Sequence, residues 1–176
     1  MNKYYIYPIL ILALNSCKQP EAKQENPAKK VMYEESLIKV NKKLIEKESR
    51  DIENWLKRHE LKAESTGTGL RLVMIKKGNG NLAKLGQFAT IHYKLSLLDG
   101  TMCYDSKETG PETFLIGQDH VESGLHEGIQ KMHVGDKCLL IMPPHLAHGL
   151  LGDDKKIPPL SCIIYEVELL QLKDAQ

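Results

Sequence analysis

The chain has 176 residues, of which 41% are hydrophobic and 27% are charged. This length accommodates one domain with an additional segment, and the composition favours a packed core over general disorder. The formal net charge is +1, which gives no electrostatic case for nucleic acid, because that binding rests on many phosphate contacts. We therefore expect no nucleic-acid partner.

Residues 1–17 have the pattern of a bacterial lipoprotein signal peptide. Lys3 supplies a positive charge, residues 6–14 form a short apolar run, and Cys17 follows a leucine and a small residue. The run is too short to cross a bilayer, which takes about 20 apolar residues. The ending resembles a lipobox, in which the signal is cut before the cysteine and the thiol is lipidated. We expect a lipid anchor at Cys17; an ordinary secretory signal with an incidental cysteine is the alternative.

Two further segments precede the main domain. Residues 18–32 are polar and lack apolar periodicity, which predicts a flexible tether. Residues 33–61 predict a helix, because Leu37, Val40 and Leu44 recur at spacings of three and four. The apolar stripe is too broken to predict a coiled coil, so we expect the helix to pack loosely on its own domain.

From Leu70 onward the periodicity changes to that of strands. Residues 88–97 alternate between apolar and polar side chains, and Asp99-Gly100 predicts a hairpin turn. Residues 121–132 predict a short helix. Further strands are predicted at residues 70–75, 102–105, 137–142 and 162–172. Five or six antiparallel strands with one helix on their apolar face predict an α+β domain.

The sequence contains none of the common catalytic motifs for nucleophilic, zinc-protease or phosphate chemistry. His145 and His148 lie in a proline-rich segment without an acidic or cysteine partner at a familiar ligand spacing, which favours a loop over a metal site. We expect no metal and no cofactor. Cys103, Cys138 and Cys162 are expected to be small buried side chains, since an odd number allows at most one disulfide.

Five short motifs occur in order between residues 78 and 172. They are Leu98-Asp99-Gly100 with Tyr104-Asp105-Ser106, then Val121–Lys137, Met142–Gly149, Lys156–Pro159 and Tyr165–Leu170. Together they resemble the FKBP family of peptidyl-prolyl cis–trans isomerases. The resemblance implies that residues 70–173 form a twisted antiparallel half-barrel of five to six strands around the short helix, with a prolyl-binding pocket between them.

The resemblance also implies a set of site residues. Pocket-lining positions fall on Tyr93, Tyr104, Val121, Ile157 and Tyr165; the pocket carboxylate on Asp105; and a backbone N–H donor on Glu122. Leu125 replaces a tryptophan at the pocket floor, His148 replaces a tyrosine, and Glu112 stands where an aromatic wall is common. Asp105 also fits a residue that bonds its own turn. These departures leave open a weak or inactive peptide-binding or scaffolding protein.

Such a pocket needs no nucleophile, because the reaction is a rotation. Resonance opposes rotation about the X–Pro bond with a barrier of about 18–20 kcal/mol. A site lowers this barrier by removing water from the imide carbonyl and by binding the twisted form better than either planar isomer. The expected partners are X–Pro segments of unfolded or partly folded envelope proteins.

A narrower resemblance concerns the N-terminal region. Residues 16–22, 35–38 and 41–45 are similar to FKBP lipoproteins associated with gliding motility in Bacteroidetes. This similarity implies a lipid-anchored protein of the cell envelope, with its domain in the periplasm or at the surface. It adds proteins of a motility apparatus as expected partners.

Overall fold

The computed structural model describes residues 27–175. The predicted signal peptide, Cys17 and the tether up to residue 26 lie outside the described residues. The chain divides between Ile38 and Lys39, and the side-chain contacts described below are those of residues 39–175. Within residues 27–175, no helix combines the length and the apolar character that crossing a membrane requires.

Helix α1, Pro27–Arg58, starts earlier than predicted. Residues 27–32, which were expected to belong to the tether, are helical. A proline at the first helical position is well tolerated, because its missing N–H would have no partner inside the helix and its φ angle already suits the helix. The proline that suggested a linker therefore marks the helix start.

The same helix ends earlier than residue 61. Glu60 has a φ angle of 55°. Its N–H donates to the carbonyl of Lys57 at 3.2 Å, and the Leu61 N–H donates to the carbonyl of Leu56 at 3.0 Å. These two bonds form a Schellman motif, which satisfies carbonyls of the last turn and stops the helix.

The main domain is a seven-stranded antiparallel sheet with short helices. The strands are β1 Glu64–Ser65, β2 Arg71–Lys76, β3 Gln87–Leu97, β4 Met102–Asp105, β5 Glu112–Leu115, β6 Lys137–Met142 and β7 Ile163–Asp174; the helices are α2 Ser106–Thr109 and α3 Ser123–Ile129. The strand order is β1-β2-β6-β7-β3-β4, and β5 pairs with β3. The predicted α+β class is confirmed, and the two-residue strand β1 makes the sheet larger than expected.

Helix α3 packs against the inner face of the sheet. Leu125 and Ile129 of this helix are buried in one cluster with Ile91 of β3 and Leu140 of β6. At Gly128, an added Cβ would lie 2.4 Å from Leu140 Cδ1. The glycine therefore allows the helix and β6 to approach closely. The alternation predicted for β3 is confirmed by its buried inward side chains.

The C-terminal half of α1 covers the opposite face of the sheet. Ile52, Trp55 and Leu56 are buried against outward side chains of β2, β6 and β7, including Ile141 and Ile164. Tyr165 next to Ile164 points inward, as the pleat of a strand requires. This contact is tight, so the expectation of a loosely packed helix is wrong for this half.

The three described cysteines are free and buried, which confirms their expected character as small core side chains. Cys103 lies where the pairing of β4 with β3 shifts: Leu95 pairs with Tyr104, whereas Ser96 pairs with Met102. The extra residue forms a bulge. The bulge turns the Cys103 side chain into the core.

Candidate active site

The centre of the site is formed by neighbouring strands β3 and β7. Tyr93 pairs with Val167, and Leu95 pairs with Tyr165. The rings of Tyr93 and Tyr165 therefore meet, with centroids 5.4 Å apart and planes tilted by 52°. Tyr165 is 5% exposed, whereas Tyr93 is half-buried. The pair extends from the core towards solvent.

Other predicted residues join these two rings in one apolar cluster. Leu125 of α3 and Ile157 are buried beside Tyr165, whereas Tyr104 and Val121 are partly buried against the same cluster. We call these residues the tyrosine cluster: Tyr93, Tyr104, Val121, Leu125, Ile157 and Tyr165. Three of its members, which we call the floor, are buried: Leu125, Ile157 and Tyr165. The other three, which we call the rim, are half-buried. The resemblance assigned all six to the pocket, and the fold brings them together from β3, β4, β7, α3 and two loops.

Asp153 fixes one side of the tyrosine cluster. The Tyr104 hydroxyl donates to its Oδ2, and its Oδ1 accepts the backbone N–H groups of Lys155, Lys156 and Ile157 at 2.9, 2.9 and 2.7 Å. The hydrogen bond to Asp153, with burial, raises the pKa of Tyr104 to about 12. Desolvation opposes ionisation of Asp153, but the hydrogen bonds from Tyr104 and the backbone hold its pKa well below the usual range.

This role of Asp153 was not predicted from the sequence. The sequence contains one signal for this role. An aspartate side chain commonly accepts a hydrogen bond from the backbone N–H two residues later in the same turn. Here that turn precedes Ile157 and the two prolines that follow it. Asp153 therefore orients both Ile157 and Tyr104.

The Glu122 side chain connects two other predicted residues. Its Oε1 accepts the Tyr165 hydroxyl at 2.9 Å and lies 2.9 Å from His148 Nε2. The described residues provide no hydrogen-bond partner for His148 Nε2. Its contact with Glu122 is an ion pair only when the imidazole is protonated. Burial, and then the Glu122 charge, raise the pKa of Tyr165. Only the backbone of Glu122 had been assigned a role, since no local pattern connects its side chain with residues this distant in sequence.

The backbone of Glu122 agrees with the predicted donor role in one respect. Its carbonyl accepts the N–H groups of Leu125 and His126 at 2.9 and 3.1 Å. For its own N–H, no backbone acceptor occurs in the part of the chain that the structure describes. Because a backbone N–H away from bulk water needs a partner, this donor is suited to a ligand carbonyl.

Glu112 lies at the rim next to Tyr93. It pairs with Ile91 of β3 and shares the inward side of β5 with Phe114, which is 2% exposed and belongs to the core. Burial raises the pKa of Tyr93, and the negative charge of Glu112 raises it further. A carboxylate thus stands beside the hydroxyl of the half-buried tyrosine.

Asp105 is placed differently from the other predicted residues. Its Oδ1 accepts the Lys107 N–H at 2.9 Å and caps helix α2, and its Oδ2 lies 3.8 Å from Lys94 Nζ. Of the two interpretations of Asp105, these contacts match the residue that bonds its own turn.

His145 and His148 do not converge. His145 Nε2 makes a hydrogen bond with the Thr68 carbonyl at 2.8 Å, whereas His148 faces Glu122. In residues 34–175, no group of three or more histidine, cysteine or acidic side chains has an arrangement that could hold a metal ion.

Comparison with known proteins gives the family. Residues 80–170 match the family model described as FKBP-type peptidyl-prolyl cis-trans isomerase. The chain belongs to this family. It is 35% identical over 106 residues to FK506-binding protein 1 of Dictyostelium discoideum, an alignment that covers 60% of this chain and 99% of that protein.

Two further similarities define the extent of the match. The chain is 44% identical over 92 residues to peptidyl-prolyl cis-trans isomerase FKBP10 of Homo sapiens, covering 52% of this chain but only 16% of that protein. It also resembles the crystal structure of FkpA from Escherichia coli, with a TM-score of 0.65, 31% identity, and coverage of 85% of this chain and 70% of that one. The half-barrel expected from the sequence is therefore confirmed as the FKBP fold.

Proposed function

We propose that the protein catalyses cis–trans isomerisation of X–Pro bonds in unfolded or partly folded envelope proteins. The observation that carries this proposal is the tyrosine cluster, with a buried floor and a half-buried rim. Beside it lies the Glu122 N–H, for which the described residues provide no backbone acceptor. A proline ring is rigid and apolar, so it can pack against this cluster without losing side-chain hydrogen bonds.

The cluster would act on the bond next to that ring. Apolar walls exclude water from the imide carbonyl, which otherwise stabilises the planar, polarised amide. The Glu122 N–H would hold a substrate carbonyl while the bond twists. Each reduction of about 1.4 kcal/mol in the barrier accelerates rotation tenfold, so a few such contacts account for useful catalysis without a covalent intermediate.

Exchange NMR on a Leu-Pro peptide tests the proposal. The purified protein, at a small fraction of the peptide concentration, should accelerate the exchange between cis and trans peptide signals. Tyr93→Leu should reduce kcat/KM by about threefold to tenfold, since an aromatic contact contributes about 0.5–1.5 kcal/mol. Phe88→Leu is the matched control, because Phe88 is an aromatic residue on the same strand that is 37% exposed and outside the tyrosine cluster.

The competing class is a peptide-binding or scaffolding protein with this fold. A wild-type protein that binds the peptide but leaves the exchange rate unchanged would favour that class and reject the catalytic proposal. Equal losses in Tyr93→Leu and Phe88→Leu would also count against it, because the effect would then not be specific to the tyrosine cluster.

We further propose that the protein is tethered to a membrane of the cell envelope through Cys17. The support is the charged start, the apolar run and the cysteine after a small residue. Cys17→Ser should move the protein from the membrane fraction to the soluble fraction. Unchanged membrane retention would contradict lipidation at this position.

The similarity of residues 16–22, 35–38 and 41–45 to gliding-motility lipoproteins supports a proposed role with a motility apparatus. Deletion of the protein should impair gliding of the source cells, and normal gliding would reject the role. Complementation with Tyr93→Leu distinguishes an isomerase from a structural part, because the lower kcat/KM of this variant should reduce gliding only if the role is catalytic.

A further inference from the structure

We propose that Glu112 selects substrates with a lysine or arginine next to the proline. This inference rests on the proposed isomerase function and names the class of peptide that the site prefers. It follows from the position of Glu112 at the rim of the tyrosine cluster and from the hydrogen-bonding capacity that its carboxylate retains.

Glu112 is held at the place where a bound peptide would leave the cluster. Its strand, β5, pairs with β3 so that Glu112 lies opposite Ile91. Phe114, two residues further along the same side of the strand, is buried in the core. The Glu112 side chain is half-buried, and Tyr93 lies two residues beyond its pairing partner Ile91, on the same face of β3. A residue next to a proline packed on Tyr93 would therefore pass close to this carboxylate.

The three carboxylates around the cluster differ in the number of hydrogen-bond donors that their oxygens contact. Asp153 accepts three backbone N–H groups and the Tyr104 hydroxyl. Glu122 faces both Tyr165 and His148. An ionised carboxylate offers about four acceptor positions, and the side-chain hydrogen bonds of the described residues, which include those of Asp153 and Glu122, include none to Glu112. Glu112 is also absent from the ion pairs of the described side chains.

A carboxylate beside apolar walls gains from a cationic partner. Partial burial costs the charged form part of its hydration, and a substrate ammonium or guanidinium group would compensate for this loss. The basic group described on the walls is Lys156, whose Nζ lies 5.1 Å from the centroid of the Tyr104 ring, beside Asp153 rather than Glu112. An acidic substrate residue would instead meet the charges of Glu112 and Glu122.

Three peptides that differ only in the residue before the proline test the effect of substrate charge directly. The peptides have lysine, norleucine or glutamate before the proline, and exchange NMR gives kcat/KM for each. Norleucine retains the straight apolar chain of lysine without its ammonium group. At low salt, kcat/KM should be about threefold higher for lysine than for norleucine, and lowest for glutamate, since half-exposed ion pairs contribute up to about 1 kcal/mol. At 1 M salt the difference should shrink, because screening weakens a half-exposed ion pair.

Variants then assign the preference to a residue. Glu112→Gln should equalise kcat/KM for the lysine and norleucine peptides. Glu168→Gln is the matched control: it removes the same charge from the outer face of β7, where Glu168 pairs with His92, and should leave the preference intact.

The outcomes separate the two proposals. A charge order that is absent in the wild type, or that persists in Glu112→Gln, overturns the inference while the isomerase function stands. Acceleration of none of the three peptides refutes the isomerase function, and the inference with it. If Glu112→Gln fails to fold, the salt dependence of the wild-type protein still tests the inference, because a lysine preference that is undiminished at 1 M salt would contradict it.

Discussion

Replacement of Asp153 by asparagine should weaken the turn that orients Ile157 and Tyr104. The aspartate accepts backbone N–H groups from Lys155, Lys156 and Ile157, together with the Tyr104 hydroxyl. Asparagine keeps one oxygen acceptor of similar size but loses the negative charge. The substitution therefore isolates the charge from the shape of the side chain.

The expected loss follows from the difference between charged and neutral hydrogen bonds. A bond to a charged group contributes about 1.5–3 kcal/mol, whereas a neutral one contributes about 0.5–1.5 kcal/mol. Because the site is partly open to water, which recovers some of the difference, we expect Asp153→Asn to lower the free energy of unfolding by about 1–3 kcal/mol. Asp154→Asn is the matched control. It removes the same charge from the same turn at an exposed position with a φ angle of 58°, which asparagine tolerates.

Urea unfolding followed by tryptophan fluorescence measures this loss. The chain has one tryptophan, Trp55, which is 8% exposed in the folded protein and reports its unfolding. The pKa of Asp153 is lowered in the folded state, so its contribution is fully present above about pH 5 and is lost as the pH falls below the ordinary aspartate pKa of about 3.9. The difference between wild type and Asp153→Asn should shrink accordingly in acid. Equal stability of the Asp153→Asn and Asp154→Asn variants, or a difference that persists in acid, would refute the reasoning.

Two further substitutions test the packing of the domain. Gly128→Ala would place a Cβ 2.4 Å from Leu140 Cδ1 and should lower the free energy of unfolding by about 1–3 kcal/mol; an unchanged urea midpoint would show that α3 can move away from β6. Asp136→Ala should cost about 2–4 kcal/mol in the same assay, because the 2% exposed carboxylate accepts the backbone N–H groups of Gly78 and His133 at 2.6 and 2.7 Å and its loss leaves both without that partner. A loss below about 1 kcal/mol would mean that water replaces the carboxylate.

The main elements of the fold could be predicted because their periodicity is long enough to recognise. The alternation along β3 predicted both the strand and its inward side chains, since a pleated strand directs successive residues to opposite faces. The short segments β1 and α2 were not predicted, because two or four residues show no period. The start of α1 was misplaced because Pro27 fits both a linker and a first helical turn.

The site also contains some neighbours that could be predicted from the sequence and some contacts that could not. Backbone topology brings together Tyr93 and Tyr165, so a family resemblance could identify them as neighbours. The contacts of Glu122 with His148 and of Tyr104 with Asp153 depend on side-chain directions across different elements. Spacing along the sequence contains no information about such directions, and these polar contacts therefore became visible only in the fold.

The central claim is that the tyrosine cluster binds proline and lowers the barrier to its rotation. Titration of the ¹⁵N-labelled protein with a Leu-Pro peptide, with exchange spectra recorded on the same samples, tests binding and catalysis together. The account predicts that the amide signal of Glu122 shifts most strongly, and that exchange between cis and trans peptide accelerates as it does so. Unchanged exchange at saturating peptide, or shifts concentrated at His92 and Lys94 on the outer face of the sheet, would contradict it.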